Sequence, residues 1–405
     1  MSIKTLDLDI LIPIIFFTAI LIQLGYILFI FTKLIRHQDL EPDQNLPPIS
    51  IIIAAANELE NLKTLLPLLD KQDYPAFEIL IADDRSTDGT YDYLLFNQDK
   101  IKNLSFLRIK DLPDHFTAKK YAVTMAIKKS KYDTLLFTDA DCLPASDQWL
   151  KTMASQLSDG KDIVLGFSKY DYQKTTLNAF IRYETFQTAL LYLSFALAKM
   201  PFMGIGRNLM YKKDLFWKNN GFASHHSLLS GDDDLFINQV ANKHNTAICI
   251  SPQACTDSEP KNTWADWYTQ KNRHLSVGKK YKTKDRLSLG FLWSSGIIAW
   301  LLAIPAFFMN PAWFQAPEWS QIPVATLKTY GLQHFYPYSN WMRLITVVFF
   351  LWLLVRWLVL TKANKKLGHT LNSLKIPFYD LQYVLYLIVF GVISFFSNPQ
   401  KIKWR

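Results

Sequence analysis

Cysteine is scarce in this chain, three in 405 residues. Cys142, Cys249 and Cys255 have neither metal-ligand spacing nor the paired count of a disulfide scaffold. Reduced thiols in a cytosolic compartment are the expectation. Also missing are a G-x-G-x-x-G fingerprint and a P-loop, which disfavours dinucleotides and ATP hydrolysis. The net charge is +9, yet Lys and Arg are not gathered in one stripe with stacking aromatics. No nucleic-acid partner is therefore expected, and a basic surface near anionic membrane lipid is. Charge itself is absent over long stretches, from Ile10 to Phe31 and again between Arg286 and Glu318.

The first of these stretches is long enough, as helix, to cross a hydrocarbon core about 30 Å thick. It does not read as a cleaved signal peptide. Its front holds Lys4, Asp7 and Asp9, and the basic residues Lys33, Arg36 and His37 follow the span. By the positive-inside rule the chain after it is cytoplasmic. Leu287 to Met309 and Leu344 to Leu360 are further candidate spans, Arg356 being expected to snorkel from one end. Ile376 to Phe396 is a fourth, interrupted by Asp380 and several tyrosines. If all three late segments crossed, the tail residues Lys401, Lys403 and Arg405 would end outside, against the same rule. One re-entrant or interfacial segment is therefore preferred. The organisation expected is an N-terminal anchor over 1–37, a soluble domain over 48–282 after the proline-bearing linker Glu41 to Pro48, and a membrane region over 286–405.

Within the soluble part, strand-like runs alternate with helix-length segments. Ile49 to Ala56, Glu78 to Ala82, Leu104 to Ile109, Thr134 to Thr138 and Asp162 to Gly166 read as strands. Leu59 to Gln72, Thr90 to Asn97 and Ala118 to Lys129 read as the helices between them. This pattern predicts an α/β domain with a mostly parallel sheet. Thr176 to Lys199, rich in Phe, Tyr and Leu, reads as a core or interdomain helix.

Acidic clusters follow several of these strands. The run YDTLLFTDADC, Tyr132 to Cys142, is an apolar strand that ends in Asp139 and Asp141, two carboxylates able to hold a divalent cation against a phosphate-bearing substrate. In open α/β sheets ligands bind beyond the carboxyl ends of strands. The run Ala82-Asp83-Asp84-Arg85-Ser86-Thr87-Asp88-Gly89 follows the second strand, where a carboxylate can accept the N–H of a base or a ribose hydroxyl; Ser86, Thr87 and Asp88 suit a helix N-cap. Leu229-Ser-Gly-Asp232-Asp233-Asp234 suits a general base, any of the three acids being a candidate. Gln270-Lys271-Asn272-Arg273-His274 lies among Trp264, Trp267 and Tyr268, with groups able to bind pyrophosphate and aromatics that suit the headgroup level.

Taken in order, AAANE at Ala54 to Glu58, the DD-x-S-x-D run, the D-x-D, the GDD and the Q-x-x-R resemble the membrane-bound members of glycosyltransferase family 2, which include cellulose-synthase-like, hyaluronan-synthase-like and ceramide-glucosyltransferase-like enzymes. The resemblance covers about Pro48 to Lys282. It implies a GT-A fold and inverting transfer from a nucleotide sugar, commonly a UDP-sugar, to a lipid or glycan acceptor, with Mg²⁺ or Mn²⁺. Carried over by residue, it implies a donor site of Ala56, Glu58, Asp84, Lys119, Asp139, Gln270 and Arg273, a metal site of Asp139 and Asp141, and Asp233 as the base. His274 stands where processive members usually carry Trp, which favours the addition of one or a few sugars to a lipid-linked or membrane acceptor over a processive polysaccharide synthase. A metal-dependent nucleotidyl or phosphoryl transferase also places paired acids after parallel strands, and an inactive membrane scaffold is the remaining alternative.

Overall fold

The computed structural model describes residues 8–41, 46–158, 160–308, 338–368 and 371–396. These fall into two compact units, one built on Ile30–Arg286 and the other on the long apolar helices. Helix α1, Leu8–Tyr26, passes through a π-helical turn, Ile27–Phe31, into α2, Thr32–Arg36.

In the Ile30–Arg286 unit the parallel strands form where the apolar runs predict them. They are β1 (Ile49–Ala55), β2 (Phe77–Asp84), β3 (Leu104–Ile109) and β4 (Thr134–Phe137), and β1, β2 and β4 are buried along almost their whole length because helices cover both faces of the sheet. On one face Ile49, Ile51 and Ile53 of β1 and Ile79 and Ile81 of β2 pack with Leu62, Leu65, Leu66 and Leu69 of α3, Leu59–Asp70. Helix α5, Ala118–Lys129, covers β1 and β2 from the other, with Ala122, Val123, Ala126 and Ile127 buried. Helix α4, Thr90–Asn97, connects β2 to β3. The later elements of the sheet are β6 (Ile163–Leu165), β8 (Leu209–Lys212) and β9 (Thr246–Ile248). The sheet has the order β3-β2-β1-β4-β8-β6-β9.

In this order β1 lies between β2 and β4, parallel to both, so the chain winds outward from β1 in opposite directions. A crevice opens beyond the carboxyl ends at such a switch point. Strand β8 is antiparallel to both β4 and β6. A smaller sheet, with the order β5-β10-β7, is made by β5 (Cys142–Pro144), β10 (Thr256–Ser258) and β7 (Ser168–Tyr170). Helix α6, Trp149–Ala154, buries Trp149, whose indole N–H donates to Asn208 Oδ1 at 3.1 Å. Helix α7, Thr176–Leu197, is buried on nearly every side, so the aromatic helix of the sequence is a core helix.

Among the described residues three helices are long and apolar enough to cross a membrane: Leu11–Arg36, Thr283–Phe307 and Trp341–Lys366. The helix Ile376–Phe396 is a further long apolar one. The snorkelling expected of Arg356 is not what the structure has. Its guanidinium is buried and makes a bidentate pair with Asp380, at 2.5 and 2.7 Å. Each of the two charges that interrupt these apolar helices supplies the counter-ion of the other. The basic tail, Lys401 to Arg405, and Met309 lie outside the described residues.

Candidate active site

The loops that leave β1 and β2 are fastened to each other at their carboxyl ends. Asn57, at φ +58°, accepts the Thr87 N–H at 2.8 Å and donates its own N–H to Ser86 Oγ at 2.9 Å. Thr90 Oγ1 accepts from Glu58 N, and Asp88 Oδ2 accepts from Leu59 N. The side chains expected to cap α4 thus do more than cap. The residue at the N-cap position is Gly89, at φ +95°, while Asp88 bonds the Thr90 N–H and hydroxyl and clamps the neighbouring loop. Ala56 is exposed at the end of β1 and Glu58 is half-buried beside it. Burial, followed by the repulsion of Asp141 and Asp139, raises the Glu58 carboxyl against a hydrogen bond from Asn61. Glu58 thus feels the charges of the D-x-D pair.

At the end of β2 the two acids differ. Asp84 is almost buried and paired with Arg85 Nε at 2.8 Å. Asp83 is fully buried, neither of its oxygens has a hydrogen-bond partner, and Arg108 Nε stands 3.8 Å away.

Beyond β4, ligand atoms of Asp139, Asp141 and Cys142 lie within 4.8 Å of one another. Asp141 is exposed, yet desolvation by the surrounding chain and then the charge of Asp139 raise its carboxyl above its ordinary value. A carboxylate whose ionisation its neighbour opposes fits a cation. The buried Cys142 thiol is pushed well up, chiefly by burial, so at neutral pH the anionic donors are oxygens, which suit a hard divalent ion. Lys119, on α5, reaches Asp139 Oδ1 at 2.8 Å and Asp232 Oδ2 at 3.2 Å. Burial works against its charge, but Asp139, Asp232 and Asp233 together hold the ammonium well above its usual value.

The three consecutive acids occupy three environments. Burial pushes Asp232 up, yet Lys119 and Lys120 overcome it and bring the carboxyl down to about 2. Asp233 is the N-cap of α9, Asp234–Val240, accepting from Asp234 N at 2.7 Å and from Gly206 N at 2.6 Å; burial and the charge of Asp232 leave it raised nonetheless. Asp234 is buried, accepts from the Tyr281 hydroxyl at 2.7 Å, and is pushed by burial and by Asp233 to about 8.

A family model, Glycosyl transferase family 2, matches residues 50–219. The chain carries a family 2 glycosyltransferase domain. It is 30% identical over 194 residues to glycosyltransferase AglE of Haloferax volcanii, covering 46% of this chain and 59% of that one. It is 31% identical over 135 residues to a poly-beta-1,6-N-acetyl-D-glucosamine synthase of Staphylococcus aureus, covering 32% of each. The chain thus spans less than two thirds of these relatives. A mannosyltransferase of Pyrobaculum calidifontis, solved with GDP-Man and Mn²⁺, superposes with a TM-score of 0.54 at 19% identity, over 88% of this chain and 98% of that one. The glycosyltransferase domain has the GT-A fold of that neighbour, with its mostly parallel sheet.

The Q-x-x-R run on α10, Trp264–Ser276, joins the site less directly. Gln270 and Arg273 are half-buried one turn apart, and Arg273 Nη2 lies 3.1 Å from His274 Nε2. Although His274 is exposed, crowding by the surrounding chain and then the cations Arg273, Lys271, Arg207 and Lys119 hold it well below its usual value. The influence of Lys119 and Arg207 ties α10 to the acidic cluster. Trp264 and Tyr268 are exposed, as a membrane interface needs, whereas Trp267 is buried edge-on against Phe180.

Two residues absent from the motif reading belong to this environment. Lys120, 1% exposed, donates to the carbonyls of Leu228 and, at 2.7 Å, Ser230. Arg207 lies over the Tyr170 ring at 4.4 Å. Neither has a spacing signal. Lys120 is one of two adjacent lysines, and Arg207 follows a glycine in the single 3-10 turn Gly206–Asn208.

Proposed function

We propose that the domain transfers a sugar from a nucleotide-diphosphate sugar, most simply a UDP-sugar, to a lipid-linked or membrane-associated acceptor, with inversion and with Mg²⁺ or Mn²⁺. The observation that carries this reading is the division of labour among Asp232, Asp233 and Asp234 beside the Asp139–Asp141 pair. Asp234 carries its proton at neutral pH, with its carboxyl at about 8, and cannot accept another. Asp232 is paired to Lys119 and too weak a base at about 2. Asp233 is half-exposed, and its carboxyl is raised above its ordinary value by burial and by Asp232, which fits a general base.

Asp139 and Asp141 hold the metal in this reading, and when bound it neutralises the donor diphosphate. Lys119 fixes Asp139 relative to the base loop. The acceptor hydroxyl gives its proton to Asp233 as its oxygen bonds the anomeric carbon; the bond from that carbon to the diphosphate breaks, and its electron pair leaves on the phosphate oxygen. A single displacement with one base inverts the anomeric carbon. Asp84 reads the base once Arg85 yields it, and Glu58, Ala56, Gln270 and Arg273 border the donor.

The catalytic segment 48–282 lies on the cytoplasmic side in this reading, anchored by 1–37 and 286–405. Lys33 and Arg36, in the last turn of α2, support that orientation. The test is incubation of the membrane-reconstituted chain with radiolabelled nucleotide sugars. Label in lipid and free nucleoside diphosphate support the reading; nucleoside monophosphate indicates a nucleotidyl or phosphoryl transferase, and no turnover with any donor a scaffold.

A further inference from the structure

Arg207 is a cation beside the acidic cluster with no role in the account so far. Its main chain is fixed at a junction. The hydroxyls of Thr138 and Thr256 donate to the Arg207 carbonyl at 3.1 and 3.2 Å, and the preceding residue, Gly206, donates its N–H to Asp233. Thr138 immediately precedes Asp139, so Arg207 sits between the metal-site carboxylates and the proposed base. Its guanidinium is set by the Tyr170 ring. Asp139 and Asp141 are among the charges that favour its ionised form, and it in turn lowers Asp141.

Yet among the described residues Arg207 makes no side-chain hydrogen bond or ion pair, and its Nη1 is buried without an acceptor. An unmade hydrogen bond at a buried charged donor is costly, and such groups mark missing ligands. The ligand has to be an anion. Lys119 is already shared between Asp139 and Asp232, and a divalent ion offsets Asp139 and Asp141. A donor diphosphate brings two negative charges and acquires a third as the sugar departs, and Arg207 is a nearby cation whose hydrogen bonds are all unused.

The geometry points to Arg207 as a further residue of the transfer site, one that binds the diphosphate and takes up the charge that builds on its leaving oxygen. This rests on the nucleotide-sugar reading above and adds to it a donor contact outside the motifs. Guanidinium suits the task because its planar fork matches two phosphate oxygens, while Tyr170 holds it in place before substrate arrives.

Inorganic pyrophosphate with Mn²⁺ probes the diphosphate without knowledge of the base or sugar. Calorimetric titration of the full chain is expected to show binding that weakens roughly 10- to 100-fold in Arg207→Gln, with part of the loss restored in Arg207→Lys, at an unchanged thermal midpoint. Should Arg207→Gln fail to fold, Arg207→Lys carries the test, since charge without the fork is expected to bind several-fold more weakly. Pyrophosphate affinity equal to that of the unaltered chain in a folded variant overturns the assignment, as does a rise confined to the KM of an anionic acceptor, which would place Arg207 on the acceptor side. An unaltered chain that binds no pyrophosphate with Mn²⁺ overturns the nucleotide-sugar reading as well.

Discussion

Asp232, Asp233 and Asp234 share a backbone segment and a residue type, and differ in what surrounds them. Their substitutions are therefore expected to separate. Asp234→Asn replaces a carboxyl that is already protonated at neutral pH and should keep most of the transfer rate. It should also change the pH dependence of stability. The folded chain keeps this proton up to about 8, whereas the unfolded carboxyl loses it near 3.8, so the group makes the protein less stable as pH rises between those values. Unfolding of the Asn variant, followed from pH 4 to pH 8, should show a flatter slope. Asp232→Asn removes a negative charge and frees Lys119 from one of its two partners, and should keep or tighten donor binding. Acidification gives a third residue-scale outcome. Asp141 and Asp233 both have raised carboxyls, so as pH falls they take protons earlier than ordinary acids do. The rate should therefore fall at a pH above the usual carboxylate range, and extra Mn²⁺ should recover only the part that belongs to Asp141.

Helix α5 is the element that holds the acidic loop in place. Thr117, just before it, donates its N–H to His226 O at 3.2 Å, Lys120 takes the carbonyls of Leu228 and Ser230, and Lys119 takes Asp232. His225 Nε2 lies 2.8 Å from Gly231 O, closing the same turn. Lys120→Met leaves two inward carbonyls without donors, at about 1–3 kcal/mol each. The expected result is a lower thermal midpoint and faster proteolysis between Phe222 and Asp232; proteolysis at the unaltered rate would show the loop to be held by other means. In the apolar unit, Asp380→Asn strips Arg356 of its bidentate partner, a loss of about 3–5 kcal/mol for a buried pair. Arg356→Met together with Asp380→Leu should regain most of it in detergent unfolding.

Legibility also divides at this scale. Strands β1 and β4 could be read because each is an apolar or β-branched run buried almost throughout, as in Ile49–Ala55. Strand β8 could not. Leu209-Met-Tyr-Lys is four residues without period, and only the gap between β4 and β6 makes it a strand. The same holds for the three-residue strands of the small sheet. The acids of the site were legible because carboxylates clustered after strands are costly without a purpose. Arg207 and Lys120 were not, since their meaning comes from carbonyls and rings brought in from distant sequence.

For the whole molecule, the chain has a GT-A domain and helices able to span a bilayer, and in the proposed orientation the 48–282 segment faces the cytoplasm. Cysteines engineered at exposed positions of that segment should resist an impermeant thiol reagent in intact cells and react after permeabilisation. Reaction in intact cells would reverse the orientation. Donor binding should likewise disappear in EDTA. The central claim, that Asp233 is the base of a sugar transfer whose donor is held by other residues, is tested most directly by measuring donor affinity and single-turnover transfer side by side for Asp233→Asn. The account predicts a transfer rate lower by roughly two orders of magnitude or more with donor affinity little changed; transfer at the unaltered rate, or loss of rate and donor binding together, would contradict it.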